Sequence, residues 1–433
     1  MLTTACDFIA RVVARPYIAK PADDVGVVAS MAARKANKSP SQHVFGRARP
    51  SQTKATLHTK AKRDTRYRDL PDPSDMDLFE VPREPPFQLD LSSILPADTV
   101  RAITKAQKLT FHLNGDMGGI GQPMQQVLVA NGMEADFLAG AAPEDNPAFL
   151  YVVGDCVYFN GEKDQYFAQF YHPYEFYRVP IFAVPGNHDG ENLPGGSTLD
   201  GFIYNFCAHA PLKRDESQEA TRTAMVQPYV YWTLLTPLAH IVGIYSNVPE
   251  GGDVRAPQTD WIVSQFETLS KKVPLIVALH HPIYSADVFH SGSTHMKEML
   301  EAVVEQSGRA PDMVLAGHVH DYQRITHLTA DGVMTPYLVT GAGGYSNLHA
   351  IMKVGGQKLV TPSEFDVGGG DKATLEKYSD DHHGFARLEI TATTITGRYY
   401  EVPRPQEPYS KGSQLFDYFE YDWKNRKYLP NAP

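Results

Sequence analysis

Five segments of this chain each run from an apolar stretch directly into side chains that bind metal ions. They are Leu109-Thr-Phe-His-Leu-Asn-Gly-Asp116, Phe149-Leu-Tyr-Val-Val-Gly-Asp155, Ile181-Phe-Ala-Val-Pro-Gly-Asn187-His188-Asp189, Leu275-Ile-Val-Ala-Leu-His280-His281 and Met313-Val-Leu-Ala-Gly-His318-Val-His320. Apolar runs this short read as buried strands, so each delivers an oxygen or imidazole donor at its end. Asp116, Asp155, Asn187, His280, His318 and His320 form a mixed donor set without thiolate; Cys156 follows Asp155 and points to the opposite side of an extended strand end. Such donors suit Fe, Mn, Zn or Co better than Ca or a thiolate-held zinc. Six donors exceed what one ion needs while keeping an open position. Two ions sharing a carboxylate are the simpler account. Two cations about 3.5–4 Å apart clamp a phosphoryl group and acidify a bound water. That chemistry is phosphate-ester hydrolysis, by attack of metal-bound hydroxide.

Each segment alone has a plainer explanation. Gly-Asp after a strand is often a turn or a helix cap, and Gly-Asn-His-Asp can be an Asx-type turn. Five in order, each after an apolar run, set this chain apart.

The elements that must position these donors alternate between strands and amphipathic helices from about residue 95 to 402. Trp261, Ile262, Phe266 and Leu269 share one helical face, as do Met296, Met299, Leu300, Val303 and Val304, and both stripes read as core rather than as ligands. Further strand-like runs are Pro336–Thr340 and Ala386–Ile390, with Ile395–Glu401 completing a hairpin. Strands separated by helices, with polar residues at the strand ends, predict an α/β layered fold whose site lies beyond the carboxyl ends of the strands.

Charge divides the chain. Residues 1–70 carry 14 Lys or Arg against 5 Asp or Glu, while the whole chain has a net charge of −10. The body is therefore acidic, and no nucleic-acid partner is expected for it; the basic arm can meet an anionic membrane, a nucleic acid or the body itself. Residues 71–94 read as a proline-rich linker, 95–402 as the catalytic domain, and 403–433 as an aromatic tail packed on the body or a second subunit. Phe8, Ile9, Val12 and Val13 stand at helical spacing, but Arg11 and Arg15 interrupt the stretch, so no secretory h-region is read there. With three scattered cysteines and a lone sequon at Asn37, this predicts a cytoplasmic protein, with a secreted or organellar one as the alternative. No run of about 20 apolar residues predicts a transmembrane helix. The oligomeric state is not legible.

In order and spacing, the motifs Gly-Asp-x-Gly, Gly-Asp-x-x-Tyr, Gly-Asn-His-Asp, His-x-Pro and Gly-His-x-His resemble those of purple acid phosphatases, within the calcineurin-like metallophosphoesterases. Asp116-Met-Gly118 stands where the wider superfamily has Asp-x-His, and Tyr158 follows Asp155 by three residues. Asp155-Cys-Val-Tyr158-Phe-Asn-Gly, Ser293-Thr-His295, Thr340-Gly-Ala-Gly-Gly344 and Gly384-Phe-Ala-Arg-Leu-Glu-Ile add to the likeness, in particular to the tartrate-resistant type. The resemblance covers residues 108–402. It implies a four-layer α/β/β/α sandwich of two mixed sheets and a dinuclear centre. One ion, Fe(III), would be held by Asp116, Tyr158 and His320. The other, Fe(II), Zn or Mn, would be held by Asn187, His280 and His318, with Asp155 between them. It implies hydrolysis of small phosphomonoesters, with His188 contacting phosphate or protonating the leaving alcohol and His281 and His290 as further catalytic candidates. His295 ranks lower, and His382 and His383 read as turn residues. Cys156 departs from the usual asparagine. A phosphodiesterase acting on nucleotide or lipid head-group diesters is the alternative enzyme. A metal-binding interaction protein with vestigial hydrolysis is the alternative from another class.

Overall fold

In a computed structural model, residues 85–120, 123–193 and 196–430 are described. The basic arm, its helix-spaced residues, the Asn37 sequon and most of the proline-rich segment lie outside the described residues.

Two large mixed sheets carry the fold. The first holds seven strands. The parallel trio β2 (Lys108–Asn114), β3 (Leu150–Val153) and β4 (Ile181–Val184) forms one side. β13 (Gly384–Thr391), β14 (Thr394–Glu401), β15 (Gln414–Asp422) and β16 (Lys427–Tyr428) add antiparallel to its β2 edge. The second sheet holds nine strands. Its centre is the parallel run β6 (His240–Ile244), β7 (Leu275–Leu279), β8 (Met313–Ala316) and β10 (Met334–Thr340). One side is extended by β5 (Trp232–Leu235) and β1 (Gln88–Asp90), the other by β9 (Tyr322–Leu328), β12 (Asp371–Ser379) and β11 (Ser363–Gly368). The predicted hairpin is β13–β14, paired from Gly384↔Glu401 to Ile390↔Ile395.

Alternation along the strands builds the layers, because successive side chains leave opposite faces. Leu109, Phe111 and Leu113, Tyr151 and Val153, Phe182, Ile276 and Ala278, and Met313 and Leu315 meet in one core between the sheets. Leu150 and Val152, Ile181 and Ala183, Leu275, Val277 and Leu279, and Val314 face outward into a second apolar cluster with the helices. Helix α2 (Met124–Ala135) packs by the seven-stranded sheet. α4 (Ala256–Thr268) and α5 (Thr294–Ser307) cover the nine-stranded one, tied to it by Thr233 to Gln265 and Lys297 to Asp371. Trp261, Ile262, Phe266, Met296, Met299, Leu300 and Val303 are buried there, while Val304 is half-buried. The expected four-layer α/β/β/α sandwich is the observed fold.

The segments at either end join the sheets. Gln88–Asp90 pairs in parallel with β5. Aromatic β15 lies beside β14, and its Asp417 receives Arg324 of the other sheet at 2.7 and 3.0 Å.

Candidate metal centre

Every strand that was read as ending in a donor does so at one edge of the sandwich. Asp116 follows β2, Asp155 follows β3, and Asn187 follows β4; His280 and His318 follow β7 and β8 of the opposite sheet. The backbone bends sharply there. Asp116, Asp155 and His318 have φ of 55°, 53° and 68°, left-handed values that are rare for residues other than glycine. Neighbouring glycines allow the crowding. A Cβ on Gly186 would sit 2.0 Å from Asp155 Oδ1, and one on Gly341 2.7 Å from Asp116 Oδ2. The Gly341–Gly344 turn thus lies against the aspartate.

The donor atoms fall into two sets. In the first, the Tyr158 hydroxyl is 3.1 Å from Asp116 Oδ1 and 3.2 Å from His320 Nε2, and these last two are 3.4 Å apart. In the second, Asn187 Oδ1 lies 2.9 Å from His280 Nε2 and 3.1 Å from His318 Nδ1. Asp155 Oδ2, 3.4 Å from His280 Nε2, is buried without a hydrogen-bond partner. Donors about 2.0–2.2 Å from a common ion lie roughly 3 Å from one another, so both sets have the spacing of ligands. The tyrosine oxygen fits as well. Burial first, then the charges of Asp116 and Asp155, push its pKa well above the usual range, so only a strongly acidic cation would hold it as phenolate.

The electrostatics are those of buried, crowded acids and bases. Burial raises the Asp116 carboxyl to about 6. Burial acts the same way on Asp155, but the His280 and His188 imidazoles outweigh it and hold that carboxyl far below its usual range. Burial pulls His280 down, while Asp155 and Asp116 carry it to about 9. Burial lowers His318 to about 4 and His320 well below its usual value.

The other candidates surround these donors. His188 gives its backbone N–H to Asp155 Oδ1 at 3.0 Å, rests on the Tyr158 ring, and directs Nδ1 to the Phe159 carbonyl at 2.6 Å. Nε2 is left for a ligand. His281 is buried against the His318 ring, with Nδ1 2.8 Å from Ser246 Oγ and no partner for Nε2. His290 packs on the other side of His318 and directs Nδ1 to Glu250. His295 instead lies 3.7 Å from Asp253. His382 pairs with Asp381, whereas His383 is buried with Nε2 on the Tyr345 carbonyl. The Cys156 thiol is buried in the outer apolar cluster, and burial pushes its pKa well up.

Several residues of this site escaped the sequence. Asp189, quoted within Gly-Asn-His-Asp but given no role, accepts the backbone amides of Cys156, Val157 and Gly186 and pins the two turns together. Tyr345 stacks on Tyr158, and His349 packs on His320 and His290. Glu250 stands in a Pro-Glu-Gly-Gly turn, where nothing in the sequence separates it from a solvated surface acid.

Residues 125–322 match the calcineurin-like phosphoesterase family. That match spans a little under half of the chain. Curated relatives include probable purple acid phosphatase 20 of Arabidopsis thaliana, 26% identical over 35% of this chain, and purple acid phosphatase 21 of the same plant, 28% identical over 38%. The matched region spans only 34% and 36% of those relatives' own lengths. Among solved structures, purple acid phosphatase PPD1 from yellow lupin (Lupinus luteus) seeds superposes with a TM-score of 0.50 at 16% identity, covering 73% of this chain and 54% of that one. That likeness speaks for the fold.

Proposed function

We propose that this chain is a dinuclear-metal phosphatase that hydrolyses phosphate monoesters. The observation that carries this reading is the pair of donor sets, each spaced as ligands of one ion, with the unpartnered Asp155 oxygen beside them. In this reading Asp116, Tyr158 and His320 hold Fe(III). Asn187, His280 and His318 hold Fe(II), Zn or Mn, and Asp155 is shared. The second set is neutral apart from the shared carboxylate, which suits a divalent ion. Bound there, two cations neutralise phosphoryl charge and make water a nucleophile near neutral pH.

The chain's own residues do the rest. The carbonyl of Phe159 orients His188 by accepting from Nδ1, so in the protonated ring Nε2–H is the proton passed to the departing alcohol, which leaves the ring neutral. His290, its ring centroid 4.3 Å from that of His318, is the further candidate to contact the phosphate. His281, braced by Ser246, supports the His318 ring from behind. Burial of Asp116, Asp155, Tyr158 and His280 strengthens the charge interactions among them.

The test combines metal analysis with assays of p-nitrophenyl phosphate and its bis-ester, on the wild type and Asp155→Ala. Two ions and a preference for the monoester are expected, with both metal and activity lost in the variant. Near-normal turnover by Asp155→Ala would exclude the shared-carboxylate assignment, and a preference for the bis-ester would favour a phosphodiesterase.

A further inference from the structure

Glu250 belongs to none of the five segments. It sits in the loop after β6, with its side chain 8% exposed. One of its oxygens, Oε1, lies 3.1 Å from His290 Nδ1 and 3.4 Å from His318 Nε2. An ionised carboxylate only accepts hydrogen bonds, so each imidazole turns an N–H toward it. A neutral imidazole has one N–H, and the other nitrogen then carries the lone pair. For His318 that other nitrogen is Nδ1, the atom 3.1 Å from Asn187 Oδ1.

The loop is built to hold this acid in place. Gly251 and Gly252 both have left-handed backbone, φ 80° and 78°. A Cβ on Gly252 would lie 2.9 Å from the Met296 methyl and 3.0 Å from the Ser246 carbonyl. The Gly251 carbonyl accepts the hydroxyl of Ser293, the residue that caps α5, and the backbone N–H of Asp253 donates to the Ser246 carbonyl at 2.8 Å. Glu250 therefore hangs from a loop fastened to a helix start.

We infer that Glu250 is a positioning residue that holds two imidazoles at once: it turns His318 so that Nδ1 faces the Asn187–His280 side, and it braces His290 through Nδ1. This deepens the function proposed above and rests on it. Carboxylates that orient a ligating histidine change metal affinity or activity by about 10–100-fold when removed.

The experiment measures Zn²⁺ and Mn²⁺ affinity of the full chain by equilibrium dialysis, the metal-free unfolding midpoint, and turnover of p-nitrophenyl phosphate. It compares wild type, Glu250→Ala, Glu250→Gln, His290→Ala and the double variant Glu250→Ala/His290→Ala. Glu250→Ala is expected to bind the divalent ion roughly 10–100-fold more weakly while its metal-free midpoint stays near wild type. Glu250→Gln, which keeps an acceptor oxygen, loses less and carries the test if the alanine variant does not fold. The turnover cost of Glu250→Ala should shrink in the His290→Ala background, while the affinity cost persists through His318. Unchanged affinity, or a turnover cost undiminished by His290→Ala, would overturn the inference. So would a wild type holding three ions with one lost in both Glu250 variants, since the cluster would then be a third cation site. A wild type that binds no divalent ion would instead overturn the reading of the whole centre.

Discussion

Tyr158 and Tyr345 lie face to face, their ring centroids 4.0 Å apart and their planes 17° from parallel. The stack fixes the phenol plane, so the Tyr158 oxygen meets Asp116 and His320 together. His383 in turn anchors Tyr345 through its carbonyl at 2.8 Å.

Tyr158→Phe keeps that stack and removes only the oxygen. If the phenol holds a ferric ion, the purified wild type absorbs visible light by charge transfer and the variant is colourless. Iron content should fall alongside. A band that survives the substitution would assign the colour to another group.

His188→Ala should keep both ions and lose roughly 10²–10⁴ in turnover, the usual span for help with proton transfer. Metal analysis separates this from ligand loss. Turnover within about threefold of wild type, below that span, would remove His188 from the chemistry.

Gly186→Ala probes the crowding directly. The added carbon would stand 2.0 Å from Asp155 Oδ1 and 2.4 Å from the Asp155 amide nitrogen. Overpacking of this kind costs about 1–3 kcal/mol. The carboxylate must also shift, so metal content should fall with stability. Full metal content in a folded variant would show the turn to be softer than its geometry implies.

His383 makes stability depend on pH. Burial lowers its folded pKa to about 4, from an ordinary 6.5. The fold holds the neutral ring, so this contribution is complete above about pH 6.5 and fades as pH falls through 4. The shift is worth on the order of 3 kcal/mol. Urea unfolding of the metal-free chain at pH 7 and pH 4 should show a smaller drop for His383→Gln than for wild type. Equal drops would locate the acid sensitivity elsewhere.

The layered fold and the convergence of donors were legible because both follow from runs such as Leu275–Leu279 and Met313–Ala316, where apolar residues end abruptly in histidine. What the sequence could not show are groups that matter through tertiary contact. Glu250 sits in a polar turn, and only the folded loop brings it to His318 and His290. His383 reads as a turn residue, and it does precede β13, yet its ring is buried under Tyr345. The aromatic tail at 403–433 reads as packed on the body or on a second subunit; the alternating Phe416, Tyr418 and Glu420 do not reveal that Gln414–Asp422 continues the sheet beside β14.

Asp116, Asp155 and Asn187 belong to one sheet, and His280 and His318 to the other. Cations seated among them would rivet the two halves of the sandwich. Loading would then raise resistance to unfolding across the whole body rather than at one loop. By the same linkage, a substitution deep between the sheets, far from any donor, could loosen the grip on metal by letting the halves drift apart.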